Sequence, residues 1–594
     1  MASFFKTFLA ALLAIFVFIC LGIMIIAIMI GSSSEPVTKV QDDSILHLTL
    51  EHEIIDRHYE NRFQLDMNTF QPIRKEGLNF ILNQIHKAKV DPQIKGIFLD
   101  LNSPSAGWAS LQEIRDALVD FKSSGKWIVS YSDFYSQAGY YLASSADELY
   151  LEPEGMLEFK GLRSDVTFMK GLLKKIGVEV QVIKPKNNKF KSAVEPFMLD
   201  SMSVANEDQL NKILNSIWGH IAQDIASSRN MTVDLVNKAA AELASRTSSN
   251  ALEAHLIDGI KYRDEVMELL KEKSGVEKGE ELILVSLREY GSSSVTDYVD
   301  LEKVFSKDKV AVIYAIGAID MGDGDEESIG SDGLAKQISE ARKDSSIKAI
   351  VLRVNSPGGS ALASDVIWRE MCLAKETKPV IVSMGDVAAS GGYYISCNAD
   401  MIFGSEMTIT GSIGVFGMIP NTKGLEEGIL GLKHDGVKTH PFADLMDISR
   451  PLRSDEHEIW QGMVDHIYDD FTGKVAKGRG MEQMYVDSIG QGRIWSGADA
   501  QGNRLIDAYG GLDEAIAEAA KRAGLTKFNV KNLPTEVDPL EQIIKDLTGA
   551  ETKADPLETL SQQDVELFRM VKQYKQVMDM KGVQMRMPYI LDIR

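Results

Sequence analysis

One stretch of this chain is written twice. Residues 94–101 read I-K-G-I-F-L-D-L and run into N-S-P at Asn102, Ser103 and Pro104. Residues 347–354 read I-K-A-I-V-L-R-V and run into N-S-P at Asn355, Ser356 and Pro357. The offset from Asn102 to Asn355 is 253 residues, and it holds without a gap. Ile128-Val129-Ser130 falls on Ile381-Val382-Ser383, Asp133 on Asp386, Gly139-Tyr140-Tyr141 on Gly392-Tyr393-Tyr394, and Ala146-Asp147 on Ala399-Asp400. Further on, Leu256-Ile257-Asp258 matches Leu505-Ile506-Asp507 at a slightly shorter offset. A register held this long means an internal duplication.

Each copy alternates short β-rich runs with helical ones, the pattern of an α/β unit with a mostly parallel sheet. In the first copy residues 44–55 alternate as a strand, and 78–89 and 205–228 read as helices; in the second, 454–474 reads as a helix. The expected organisation is a first repeat over 44–270, a junction over 271–308 with mixed charge and a G-S-S-S run, and a second repeat over 309–524. A charged tail follows over 525–594, with helical periodicity at 540–547 and 564–578. A length of 594 residues agrees with more than one core.

The two copies differ where chemistry would sit. Residues 387–394 read V-A-A-S-G-G-Y-Y after the apolar run 380–384. Small residues let a chain turn sharply from strand to helix. Such a turn lifts Ser390 Oγ out of the sheet and leaves the following backbone N–H groups free for an oxyanion. At the same register the first copy has Gln137, and Gly358 and Gly359 are replaced by Ser105 and Ala106. The first copy carries instead K-F-K-S-A-V-E-P-F over 189–197. Aligning Phe190 with Phe442 places Lys191 where the second copy has Ala443. A serine kept by one copy and a lysine by the other is expected if both copies build one site.

A serine nucleophile needs a base. Histidine is the usual one, but none lies between Ser390 and His434, so a histidine would have to be brought in by folding. A neutral lysine is the alternative, provided burial among Phe190, Ala193, Val194 and Phe197 disfavours its charged form. Ser412, in T-I-T-G-S-I-G-V-F-G, is either a hydrogen-bond partner of the base or a turn serine. Glu195 is read as an anchor of its own loop. His457 and His466 lie nine residues apart without metal-ligand spacing and are read as structural. There is no Walker-type loop, and G-D-G-D at 322–325 lacks the rest of a calcium loop, so neither metal nor cofactor is expected.

Residues 8–30 carry no charge and are nearly all apolar, long enough to span a bilayer as one helix. A cleaved signal peptide would have a shorter apolar core, so an uncleaved anchor within residues 1–43 is expected. Lys6 precedes the run and Glu35 is the first charge after it, which puts the N-terminus in the cytoplasm and the body outside. A net charge of −22 argues against nucleic acid. Three cysteines, one of them in the apolar run, exclude a disulfide framework.

Together K-S-A-V-E-P-F at 191–197, N-S-P-G-G-S at 355–360, A-A-S-G-G-Y at 388–393 and T-G-S-I-G at 410–414 resemble the long, membrane-anchored form of the signal peptide peptidase A (protease IV) family. The N-S-P-G-G-S motif alone is shared with Clp-type proteases and the crotonase-like fold. The resemblance implies a tandem of Clp-protease/crotonase-like α/β domains behind one N-terminal transmembrane helix. It implies a Ser/Lys dyad, with Ser390 as nucleophile, Lys191 as general base and Ser412 assisting the lysine. Gly391 and either Gly358 or Gly359 match the oxyanion hole. It further implies a homotetramer on the outer face of the bacterial inner membrane that digests cleaved signal peptides. An acyl-CoA enzyme of the crotonase type and a non-catalytic membrane scaffold are the rival readings; neither needs Ser390 and Lys191 as a pair.

Overall fold

The computed structural model describes residues 40–59, 75–276, 280–293, 306–325, 327–535 and 582–587, with single positions at 6, 13 and 593. The expected anchor at 8–30 and the expected helices at 540–547 and 564–578 lie outside the described residues. Among the described residues no helix is long and apolar enough to cross a membrane.

In the first copy the strands are β1 (Ser44–Leu48), β2 (Glu53–Ile55), β3 (Lys75–Gly77), β4 (Ile94–Leu99), β5 (Trp127–Tyr135), β6 (Glu148–Leu157), β7 (Glu179–Ile183), β8 (Gly259–Ile260) and β9 (Leu284–Ser286). The run expected as one strand over 44–55 is broken into β1 and β2, with Leu50 between them at φ 46°. Six strands form a parallel sheet in the order β8-β6-β5-β4-β1-β9. Its edge strand β9 comes from the stretch read as a junction.

The second copy supplies β10 (Lys309–Ile316), β11 (Ala318–Asp320), β12 (Ser328–Gly330), β13 (Ile347–Ser356), β14 (Gly358–Ser360), β15 (Val380–Ala389), β16 (Met401–Gly404), β17 (Ile409–Gly411), β18 (Phe416–Asn421), β19 (Ile494–Ser496) and β20 (Ala508–Tyr509). The stretch read as a tail adds β21 (Asn529–Leu533) and β22 (Val583–Arg586). The parallel spine β21-β10-β13-β15-β16-β20 repeats the first sheet strand for strand. Beyond its middle β15 also pairs with β17, which pairs antiparallel with β19. Duplicated sequence has become duplicated topology because the apolar runs are buried on both faces in both copies: the adjacent pairs Ile97 and Phe98, and Ile350 and Val351, point to opposite faces and are all fully enclosed.

Among the contacts that join the copies, two bear on the placement of Ser390 and Lys191. One is a buried ion cluster. Arg353 on β13 donates from Nε to Asp56 and from Nη2 to Glu113, each at 2.7 Å, and both acids belong to the first copy. Asp56 also accepts from Asn355 Nδ2 at 2.6 Å, while Asn355 Oδ1 accepts from the Val387 N–H at 3.1 Å. The asparagine of the second N-S-P thus ties the first copy to β15 three residues before Ser390. The other device is a mixed sheet, β12-β11-β14-β22-β18-β7. In it β7 of the first copy pairs antiparallel with β18 of the second, from Gly417↔Ile183 to Asn421↔Glu179. A short loop after β7 then delivers Lys191 to the second copy.

Candidate active site

Ser390 sits where β15 ends and the helix Gly391–Ser396 begins. Its backbone is at φ 56°, ψ −113°, a region that L-residues rarely adopt. The conformation is held from both sides: the Ser390 N–H donates to Gly411 O and the Ser390 carbonyl accepts from the Tyr394 N–H, each at 2.8 Å. The small residues on either side permit this turn. A Cβ on Gly392 would lie 2.7 Å from Ser356 O.

Lys191 Nζ lies 2.7 Å from Ser390 Oγ, 2.9 Å from Ser412 Oγ and 3.1 Å from Ser412 O. All three residues are fully enclosed. Three partners are what a neutral amine can satisfy, accepting one hydrogen bond and donating two: Ser390 O–H donates to Nζ, and the two N–H bonds of Nζ point to Ser412. The same partners can serve three donors of an ammonium. Burial favours the neutral form, because it penalises the charge and lowers the lysine pKa well below its ordinary 10.5 with no charged neighbour offsetting it. Beside the lysine, its loop residues Ala193 and Val194 form an apolar cluster with Phe416 and Met418, with Val180, Val182 and Phe197 packed against it. The lysine loop and the short helix after it supply part of that cluster, and β7 and β18 supply the rest.

One backbone and one side-chain hydrogen bond hold the lysine loop on the second copy. Phe190 N–H donates to Gln491 O at 2.9 Å, and Asn188 Nδ2 donates to Val415 O at 2.6 Å. The loop can approach this closely because residue 492 is glycine, at φ 78°. A Cβ there would fall 2.5 Å from Lys191 Cβ and 2.7 Å from its Cα. Gly492 was not singled out from the sequence, where nothing distinguishes it from a turn glycine. Arg493, beside it, stacks its guanidinium 4.6 Å over the Phe190 ring and accepts the Ser412 N–H on its carbonyl.

Of the glycines in N-S-P-G-G-S, Gly358 is at φ 91° and its N–H is taken by Ser356 Oγ at 3.1 Å. Gly359 N is 3.1 Å from where a Gly391 Cβ would be. The N–H groups of Gly359 and Gly391 are therefore the neighbouring pair beside the serine. Glu195 does what was expected of a loop anchor, accepting from Ser203 Oγ at 2.6 Å and from Ser203 N–H at 3.1 Å. His457 and His466 are exposed on the helix Ser454–Arg479, and no group of three possible metal ligands occurs among the described residues. In the first copy Gln137 closes the corresponding turn on itself, its Oε1 accepting from the N–H groups of Lys160 and Gly161 and its Nε2 donating to Gly161 O.

A hydroxyl against a buried amine, with two backbone N–H groups beside it, can activate an oxygen nucleophile and hold an oxyanion. Comparison with known proteins points the same way. The sequence pattern of peptidase family S49 matches residues 120–277 and 373–526, two regions whose starts are 253 residues apart. A chloroplastic serine protease SPPA of Arabidopsis thaliana is 35% identical over 82% of this chain and 71% of its own. Protease 4 of Salmonella typhi is 35% identical over 80% and 77%, and protease 4 of Haemophilus influenzae 35% identical over 85% and 83%. A ClpP1 mutant from Listeria monocytogenes overlaps 37% of this chain and 99% of that one at 13% identity, with a TM-score of 0.23, too low for the fold description to lean on.

Proposed function

The chain belongs to peptidase family S49, the serine proteases of the protease IV type, and from that premise we propose that it is a Ser/Lys-dyad endopeptidase that digests cleaved signal peptides at a bacterial inner membrane. The observation that carries the reading is the 2.7 Å approach of Lys191 Nζ to Ser390 Oγ in a fully buried site. The neutral lysine takes the Ser390 proton as Oγ attacks the scissile carbonyl. The oxyanion is held by the N–H groups of Gly359 and Gly391. The lysine, now an ammonium with Ser412 O and Oγ as acceptors, returns the proton to the leaving amine. Water then repeats the sequence on the acyl-serine. Apolar substrates and a membrane setting are supported by the uncharged run at 8–30 and by the charges flanking it. A homotetramer with its catalytic body outside the cytoplasm completes the proposal, resting on the family resemblance.

The test is covalent trapping. A fluorophosphonate should modify Ser390, located by peptide mass spectrometry, and abolish hydrolysis of apolar peptides. A folded protein that hydrolyses nothing and leaves Ser390 unlabelled would return the case to the acyl-CoA and scaffold readings.

A second expected result concerns Gly492. Gly492→Ala would drive a methyl into the Lys191 backbone, and a misplacement of ~1 Å at a catalytic group costs about 10²-fold. Peptide hydrolysis should fall by that order while circular dichroism stays that of the parent. Unchanged kcat/KM would show that the lysine needs no such cradle.

A further inference from the structure

One fully buried polar side chain touches both neighbours of Lys191 and takes no part in the proton transfer. Gln209 lies in the second turn of the helix Val204–Ser228 and is wholly enclosed. Its Nε2 donates to Ser192 Oγ at 2.8 Å, to Asn206 Oδ1 at 3.0 Å and to Phe190 O at 3.1 Å. Its Oε1 accepts from the Ile494 N–H at 3.4 Å. An amide nitrogen carries two hydrogens, so the three acceptors share them. The amide can stand only one way round, because the Phe190 carbonyl cannot donate and the Ile494 N–H cannot accept.

Two peptide groups of different copies meet at this amide. The Phe190 carbonyl belongs to the planar peptide that ends at Lys191 Cα, and Ser192 is the next residue along. The Ile494 N–H belongs to the peptide whose carbonyl, Arg493 O, accepts the Ser412 N–H at 2.7 Å. One end of Gln209 thus grips the backbone on both sides of the base, and the other grips the peptide that holds Ser412, the partner of Nζ. The helix that carries Gln209 is fixed to both copies as well. Glu195, just after the lysine loop, holds Ser203 at the helix start, and Ser203 Oγ accepts the Asn206 N–H at 3.2 Å. On the second copy Lys212 pairs with Asp499 at 3.2 Å, and Ser216 Oγ lies 2.7 Å from Ser496 Oγ. Residues 209, 212 and 216 fall on one helix face, so the face that presents Gln209 is the one docked on the second copy.

We propose that Gln209 is a positioning residue of the Ser/Lys dyad: its amide ties the lysine loop of the first copy to the Arg493–Ile494 peptide of the second, and so sets Lys191 Nζ within 2.7 Å of Ser390 Oγ. The proposal rests on the serine-peptidase reading above. The site calls for a neutral group that donates at one end and accepts at the other. A carboxylate would accept from Ile494 but face the Phe190 carbonyl with a second acceptor, and its charge would favour the ammonium form of Lys191. A hydrocarbon would take this partner from a buried carbonyl and a buried N–H at once.

The experiment compares the full chain with its Gln209→Met variant, by fluorophosphonate labelling of Ser390, by kcat and KM for a fluorogenic apolar peptide, and by a melting curve. Methionine is close in size and keeps none of the four hydrogen bonds. A misplacement of ~1 Å at a catalytic group costs about 10²-fold. Lys191 serves acylation and deacylation alike, so kcat should fall by that order while KM stays within about twofold of the parent's, and labelling should slow to match. A folded variant that keeps the parent's kcat and labelling rate, however much its melting point drops, makes Gln209 structural only and overturns the proposal. A rise in KM alone overturns it too. A parent chain that does not label at Ser390 would instead remove the peptidase reading. If Gln209→Met does not fold, Gln209→Glu decides through its pH profile. Its charge should move the alkaline rise of kcat to higher pH, and the plateau should stay about tenfold or more below the parent's, because a carboxylate cannot donate to Phe190 O. A plateau equal to the parent's overturns the proposal.

Discussion

Replacing Ser390 by alanine should lower peptide hydrolysis on the order of 10⁴-fold or more and leave the protein folded. Removing a nucleophile that works as a unit with its base costs nearly everything the unit supplies. Little else should change. Serine and alanine pay the same backbone cost at φ 56°, and the lost contacts are the hydrogen bond to Lys191 and a long one, 3.5 Å, to Gly414 O. Such a bond contributes about 1 kcal/mol net, so the thermal midpoint should move by no more than a few degrees for a chain of this size. The measurement is single-turnover hydrolysis of an apolar peptide beside a melting curve. Residual activity within tenfold of the parent, in a folded variant, would mean that Ser390 is not the nucleophile.

Replacing Lys191 by methionine should cost at least ~10²-fold in kcat, the low end of what a general base contributes. Methionine has nearly the volume and length of lysine, carries no charge and cannot take a proton. It is a cleaner change than arginine, whose permanent charge would be buried among Val194, Phe416 and Met418. The variant loses the hydrogen bonds to Ser390 and Ser412 but also loses the cost of enclosing an amine, so stability should stay within about 2 kcal/mol of the parent.

The parent enzyme carries the pH signature of the same group. Burial lowers the folded-state pKa of Lys191 below 10.5, so between that lowered value and 10.5 the unfolded chain binds more protons than the folded one. Stability contributed by this group therefore rises with pH across that window. Activity rises with pH through the folded-state pKa, as the ammonium becomes an amine. Lys191→Met should abolish that limb of the pH–rate profile. A Lys191→Met enzyme that keeps near-normal turnover, with its alkaline rise intact, would assign the base to another residue.

Much of this was legible in the chain itself. The register from Asn102 to Asn355 fixes two copies of one α/β unit, and both sheets carry the same spine because period and apolar content are local properties of each copy. The exchange of Ser390 for Gln137, set against Lys191 in the other copy, was also readable, since residue identity at matched positions needs no coordinates. The strand Val583–Arg586 was not read from the tail, where only helices at 540–547 and 564–578 were expected, because its run is short and its partners are not encoded locally.

The meeting of these parts was decided only by the tertiary structure. Lys191 and Ser390 are 199 positions apart, and they touch because β7 crosses over to pair with β18. On its own a lysine belongs at the surface, since burying its charge is costly. It is enclosed here because non-local packing by Phe416 and Met418, and a glycine at 492, leave it a dry place in which the neutral form is the cheaper one. The orientation of Gly359 and the place of β22 between β14 and β18 follow from hydrogen-bond alternation between distant strands. Local sequence sets which residues can form a strand, whereas pairing partners and register are settled by what the whole fold brings alongside.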